Sequence, residues 1–160
     1  LKKYNDNFLP EAKIEWDDIS FDAIMAKQSV QMKWTFNIPE MARKVEGVNA
    51  GYLIEVGARP NTGKTSFHAS MLVGPNGMAR QGAKCAVLCN EESYDRVAYR
   101  YIQASTGFPK EKIQANMQEA KRIYQDVTKN VKIKDVGGED MSWVETMCKT
   151  ERPDIVVPVP

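Results

Sequence analysis

The chain has 160 residues, and its 22 Lys plus Arg nearly cancel its 21 Asp plus Glu, leaving a formal net charge of +1. That length accommodates one domain with a real core, and the balance excludes binding to nucleic acid by bulk charge alone, though not by charge concentrated locally. Three cysteines, no signal-peptide pattern and no apolar run near the ~20 residues of a bilayer span exclude a disulfide framework and a membrane helix. Cys85 and Cys89, four apart in an expected strand, stand ~13 Å apart at ~3.3 Å per residue, too far to bridge. Free, apolar-flanked cysteines fit a reducing cytoplasm. The first residue is Leu1, which reads as a fragment or a processed chain.

In chain order, residues 1–16 are polar and interrupted by Pro10, and read as a tail or linker. Asp17, Asp18 and Ser20 offer caps to a short amphipathic run in which Phe21, Ile24, Met25 and Met32 fall near one helical face. Such a face packs either on its own domain or on a neighbouring subunit. Residues 34–39 read as an edge strand ended by Pro39, 40–45 as a helical turn, and 47–51 as a turn launching a first core strand, 52–56. A helix is expected over 65–73 with Phe67 and Met71 inward, broken at Gly74-Pro75-Asn76-Gly77 and resuming over 78–80. Residues 83–90 are almost continuously apolar, as in a parallel strand covered on both faces. Helices follow over 94–105 and 110–127, a strand over 131–136, a helix capped by Asp140 or Ser142 that ends near Thr150, and a strand over 154–157. This alternation predicts an α/β domain with a mainly parallel sheet flanked by helices and right-handed crossovers. We place a linker with a short helix and an edge strand in 1–46, and the nucleotide-binding domain in 47–160.

The most informative stretch is Ala58-Arg59-Pro60-Asn61-Thr62-Gly63-Lys64-Thr65-Ser66. It has the phosphate-loop spacing between an apolar run and a helix, with Ala58 where glycine is usual and Gly57 beside it. A tight loop turns successive N–H groups inward, and the following helix aims its positive end at the same point. Gly63 lets backbone approach a phosphate; Lys64 reaches the β- and γ-phosphates, and the Thr65 hydroxyl is the Mg²⁺ ligand. Glu91 ends the next strand, where α/β sheets bind ligands, and is the candidate base that polarises the attacking water. Glu92 is the alternative, disfavoured because Glu91 follows the strand directly.

Three pieces together, Gly47-Val48-Asn49-Ala50-Gly51-Tyr52-Leu53, the Ala58–Phe67 loop and Ala86-Val87-Leu88-Cys89-Asn90-Glu91-Glu92-Ser93, resemble the ring-shaped replicative DNA helicases, bacterial helicases and phage primase–helicases among them. The Arg-Pro before Gly-Lys-Thr and the Glu-Glu-Ser after the next strand distinguish the match. The resemblance implies a RecA-like core, ATP or another nucleoside triphosphate with Mg²⁺, and Lys64, Thr65 and Glu91 as the catalytic set. It further implies single-stranded DNA drawn through a homo-hexamer, a primase domain or partner, and the cytoplasm of a bacterium or phage-infected cell. Alternatives are another RecA-like ATPase, a recombinase or signalling ATPase, or a non-catalytic nucleotide-binding fragment.

One departure supports the last. The family pattern requires an acid at the end of the final strand, and Pro158-Val159-Pro160 stands there, with Asp154 at the wrong end. The expectation is a truncated core, inactive by itself. Lesser candidates take ordinary readings. His68 is a packed or solvent-facing residue rather than a γ-phosphate sensor. Lys110, Lys112, Lys121, Arg122, Lys129, Lys132 and Lys134 interleave with acids and form a solvated face rather than a DNA contact. Tyr94 and Tyr101, seven apart, are core residues rather than base-stacking platforms.

Overall fold

A computed structural model of the chain describes residues 20–28 and 32–159. They divide between two compact units with the break between Gln31 and Met32. The first contains one helix, α1 (Phe21–Gln28), whose Phe21, Ile24 and Met25 are exposed. Residues from Trp34 onward share the core of the second unit.

That unit opens with β1 (Trp34–Thr35), α2 (Pro39–Val45) and β2 (Gly47–Val48), the two strands pairing antiparallel. Trp34, Phe36 and Val48 are buried in the main core. The Gln81 side chain serves Thr35 as a substitute strand partner, accepting from its N–H at 2.8 Å and donating to its carbonyl at 2.9 Å.

Then come α3 (Lys64–Val73), β3 (Cys85–Cys89), α4 (Tyr94–Thr106), α5 (Lys110–Ala115), α6 (Met117–Val127), β4 (Val131–Asp135), α7 (Met141–Glu151) and β5 (Ile155–Val159). The sheet is parallel, in the order β4-β3-β5, with Cys85 opposite Val131 and Ile155. As the central strand, β3 is buried at all five positions, which is what a continuous apolar run requires. At one edge, β4 exposes Lys132 and Lys134, charges that discourage further pairing. The helix expected over 110–127 is divided at Asn116, whose φ of −131° and ψ of 48° leave the helical region. The α7 cap falls to Asp140, whose carboxylate accepts from the Trp143 N–H at 3.0 Å.

Three expectations are corrected. Residues 78–80 form turns, not a renewed helix. After Gly74 the chain doubles back, so Met78 and Ala79 N–H groups bond to the Met71 and Leu72 carbonyls. Gly77 permits this approach, since a Cβ there would stand 2.5 Å from the Leu72 oxygen. Arg80 completes the end of α3, donating to the Val73 and Gly74 carbonyls and to Ser105 of α4, a cation where the helix dipole favours one.

The second correction is larger. Residues 52–56, expected as the first core strand, form no strand, and Leu53 is 96% exposed. A β-prone sequence becomes a strand only where an edge receives it. The Ile155 N–H bonds to the Lys84 carbonyl and the Val159 carbonyl accepts from Asn90. Odd-numbered residues of β5 therefore face β3, and Val156 and Pro158 turn outward. Proline has no N–H, so the outer edge of β5 loses one of its donors. No described strand pairs there. Third, Tyr94 is exposed while Tyr101 is fully buried, so only one of the pair is a core residue.

Candidate functional site

The phosphate-loop stretch begins with exposed, irregular backbone over 52–59 and tightens at Arg59-Pro60-Asn61-Thr62. Pro60 in second place and Asn61 with φ of 60° in third suit a type II turn. The Thr62 hydroxyl closes it, donating to the Arg59 carbonyl at 2.6 Å. Gly63 follows with φ of 94°, a conformation that any side chain would strain. Lys64 then starts α3. No side chain caps this helix end and no acid lies in its first turn, so its unpaired N–H groups and positive dipole end are available to an anion. The two residues expected to meet phosphate and Mg²⁺, Lys64 and Thr65, are half-buried, whereas Ala58 through Gly63 and Ser66 are exposed.

The contact across from this turn comes from Glu92. The Thr65 hydroxyl donates to Glu92 Oε2 at 2.7 Å. Arg100 Nε lies 3.5 Å from Glu92 Oε1, and Arg100 Nη1 donates to the Ser66 hydroxyl at 3.2 Å. Thus the link after β3 and the second turn of α4 both fasten onto the first turn of α3. Glu91 is exposed and takes no part in this network. Sequence reading missed Glu92 and Arg100 as partners of Thr65 and Ser66. The available signal was two adjacent acids, followed eight residues after the second by an arginine on an amphipathic helix.

One turn along α3, His68 Nδ1 lies 3.1 Å from the Tyr101 hydroxyl, and its Nε2 is buried without a partner. The packed reading of this histidine therefore describes its surroundings. Burial lowers its pKa to about 4, opposed by the Glu92 carboxylate and reinforced by the Arg100 guanidinium. Between pH 4 and 6.5 the unfolded chain binds the proton and the folded chain does not, so stability rises with pH across that window. Acidification should remove about 2–3 kcal/mol, allowing for partial exposure. Urea unfolding compared at pH 7 and pH 4.5 should show a smaller loss in His68→Gln than in the unsubstituted chain; equal losses would discount His68 as the cause.

The other acids have structural duties. Asp154 caps the entry to β5, accepting from the Lys84 N–H and from Lys33 at 3.0 Å each. The Lys84 backbone bond, then Lys33, holds its carboxyl below the usual range. Asp135 accepts from the Gly137 N–H at 3.0 Å. At the far end of β5 the buried Val159 occupies the place where an acid was sought. Among the described residues, no group of three or more His, Cys, Asp or Glu is placed to hold a metal ion. Cys85 and Cys89 are free and buried, and burial pushes the Cys85 thiol up to about 12. No helix among the described residues is long and apolar enough to cross a membrane.

No curated protein matches the chain in sequence. A family model does: the DnaB-like helicase C-terminal domain aligns with residues 35–152, roughly three-quarters of the chain. The match spans the Gly63–Lys64–Thr65 turn, strands β3 and β4 and the Glu91–Glu92 link, and ends before β5. The chain accordingly belongs to the DnaB-like helicase C-terminal domain family, the RecA-like motor of replicative helicases.

Proposed function

We propose that this chain is the nucleotide-gripping part of a DNA helicase motor, binding ATP or a related triphosphate with Mg²⁺ at the start of α3. The observation that carries the reading is the uncapped α3 terminus, with Gly63 in the left-handed region and Lys64 and Thr65 in its first turn. The donor set suits the ligand: backbone N–H groups and an ammonium for phosphate oxygens, and a hydroxyl oxygen for a hard cation. Ala58 through Ser66 wrap the phosphates, Lys64 pairs with the terminal ones, and Thr65 is the metal ligand. When bound, Mg²⁺ neutralises charge that develops on the β- and γ-phosphates. Glu91 is the base that takes a proton from the attacking water. In the working motor this chemistry drives translocation on single-stranded DNA within a homo-hexamer, with a primase domain or partner, in the cytoplasm of a bacterium or phage-infected cell.

Titration of the chain with ATP and Mg²⁺ by calorimetry should show binding below millimolar concentration; no binding at millimolar ATP would overturn the reading. Unwinding of forked DNA by the full-length protein separates a helicase from a recombinase or signalling ATPase. A second reading, binding without turnover, is favoured by two observations: Val159 in place of an acid and the unpaired segment 52–56. Phosphate release by the chain at saturating ATP should then stay at background.

A further inference from the structure

We infer that Glu92 and Arg100 form a positioning clamp on the first turn of α3, Glu92 holding the Thr65 hydroxyl hydrogen so that the oxygen lone pairs remain for a divalent cation. This rests on the nucleotide-binding reading above and adds two residues to it. A threonine hydroxyl has one hydrogen and two lone pairs. It serves best as a cation ligand when an anion takes the hydrogen, and Glu92 does so at 2.7 Å, a length typical of a charge-assisted bond. The carboxylate is itself steadied. Its side chain is only 17% exposed, and its other oxygen faces the Arg100 guanidinium. Arg100 also bonds the neighbouring hydroxyl, Ser66, so α4 orients Ser66 directly and Thr65 through Glu92. The two adjacent acids thereby divide the work: Glu92 positions, and the exposed Glu91 stays free for a reacting water.

The test is the affinity of the 160-residue chain for ATP, measured by calorimetry with Mg²⁺ and again with a chelator. Outer partners of metal ligands typically contribute ten- to a hundredfold to affinity. In Glu92→Gln the gain in affinity on adding Mg²⁺ should fall about tenfold, while chelated ATP binds no more weakly because a nearby negative charge has gone. Glu92→Asp should recover part of the gain, and Arg100→Ala should lose part of it, which keeps the test available if Glu92→Gln does not fold. Asp95→Asn, an exposed acid on the same helix, should leave the gain intact. A merely structural role would weaken binding equally with and without Mg²⁺. That result, or an undiminished Mg²⁺ gain in Glu92→Gln, would overturn the clamp while leaving nucleotide binding standing. An unsubstituted chain that binds ATP in neither condition would overturn both.

Discussion

Lys64→Ala should weaken ATP binding by roughly 30- to 100-fold, with little change in stability. Hydrogen bonds to charged groups contribute about 1.5–3 kcal/mol, and each 1.4 kcal/mol is a factor of ten in affinity. Lys64 lies in the first turn of α3, beside N–H groups that no side chain caps, so its ammonium adds a full positive charge to donors supplied by the backbone. It makes no hydrogen bond or ion pair in the described network, and its loss should leave the core intact. Calorimetry with Mg-ATP gives the affinity, and far-ultraviolet circular dichroism checks the fold. Affinity retained within threefold would remove phosphate binding from this loop. Lys64→Arg should fall between, because a planar guanidinium does not reproduce a compact ammonium on a flexible stem.

Tyr101→Ala should cost about 3–5 kcal/mol of unfolding free energy, as large aromatic truncations in cores do. Tyr101 is 0% exposed on α4, and its ring lies 5.9 Å from that of His68 on α3. Its loss both opens a cavity between the two helices and leaves His68 Nδ1 without its partner. Domains of this size hold about 5–15 kcal/mol in total, so the variant should be partly unfolded near physiological temperature. Tyr101→Phe keeps the volume and gives up one hydrogen bond, at about 1 kcal/mol. Urea midpoints should rank the unsubstituted chain, Phe and Ala in that order; equal midpoints for Phe and Ala would place the contribution in the hydroxyl instead.

The parts of this molecule that were legible in the sequence are those that local chemistry decides. The apolar run 85–89 had to be a buried parallel strand, and the Gly63-Lys64-Thr65 turn had to open a helix. Asp140 was one of two cap candidates for α7, and the backbone of Trp143 selects it. What was not legible depended on an element's neighbours. The sequence of 52–56 has every local preference of a strand, but pairing needs a receptive edge, and Pro158 blunts the only one beside β5. Glu91 and Glu92 differ by a single position and no composition rule separates them. The turn after β3 swings Glu92, not Glu91, onto Thr65, a matter of backbone path that residue order alone does not encode. The place of Thr35 in this unit depends on a neighbour too, since Gln81 ties it in across 46 residues.

The central place of β3 also sets the order in which the molecule can assemble. Its partner Val131 lies 46 residues beyond Cys85, and Ile155 lies 70 beyond. Every pair in this sheet therefore closes a long loop before it gains any stabilisation, which slows folding relative to a domain of local contacts. During synthesis, β3 leaves the ribosome with no strand to receive it, and its five apolar residues wait for β4 and then for β5. At 5–20 residues per second that interval is several seconds, long enough for the strand to meet other chains. Expression at lowered temperature or with co-produced chaperones should raise the soluble yield more than any change to the exposed surface of α5 or α6.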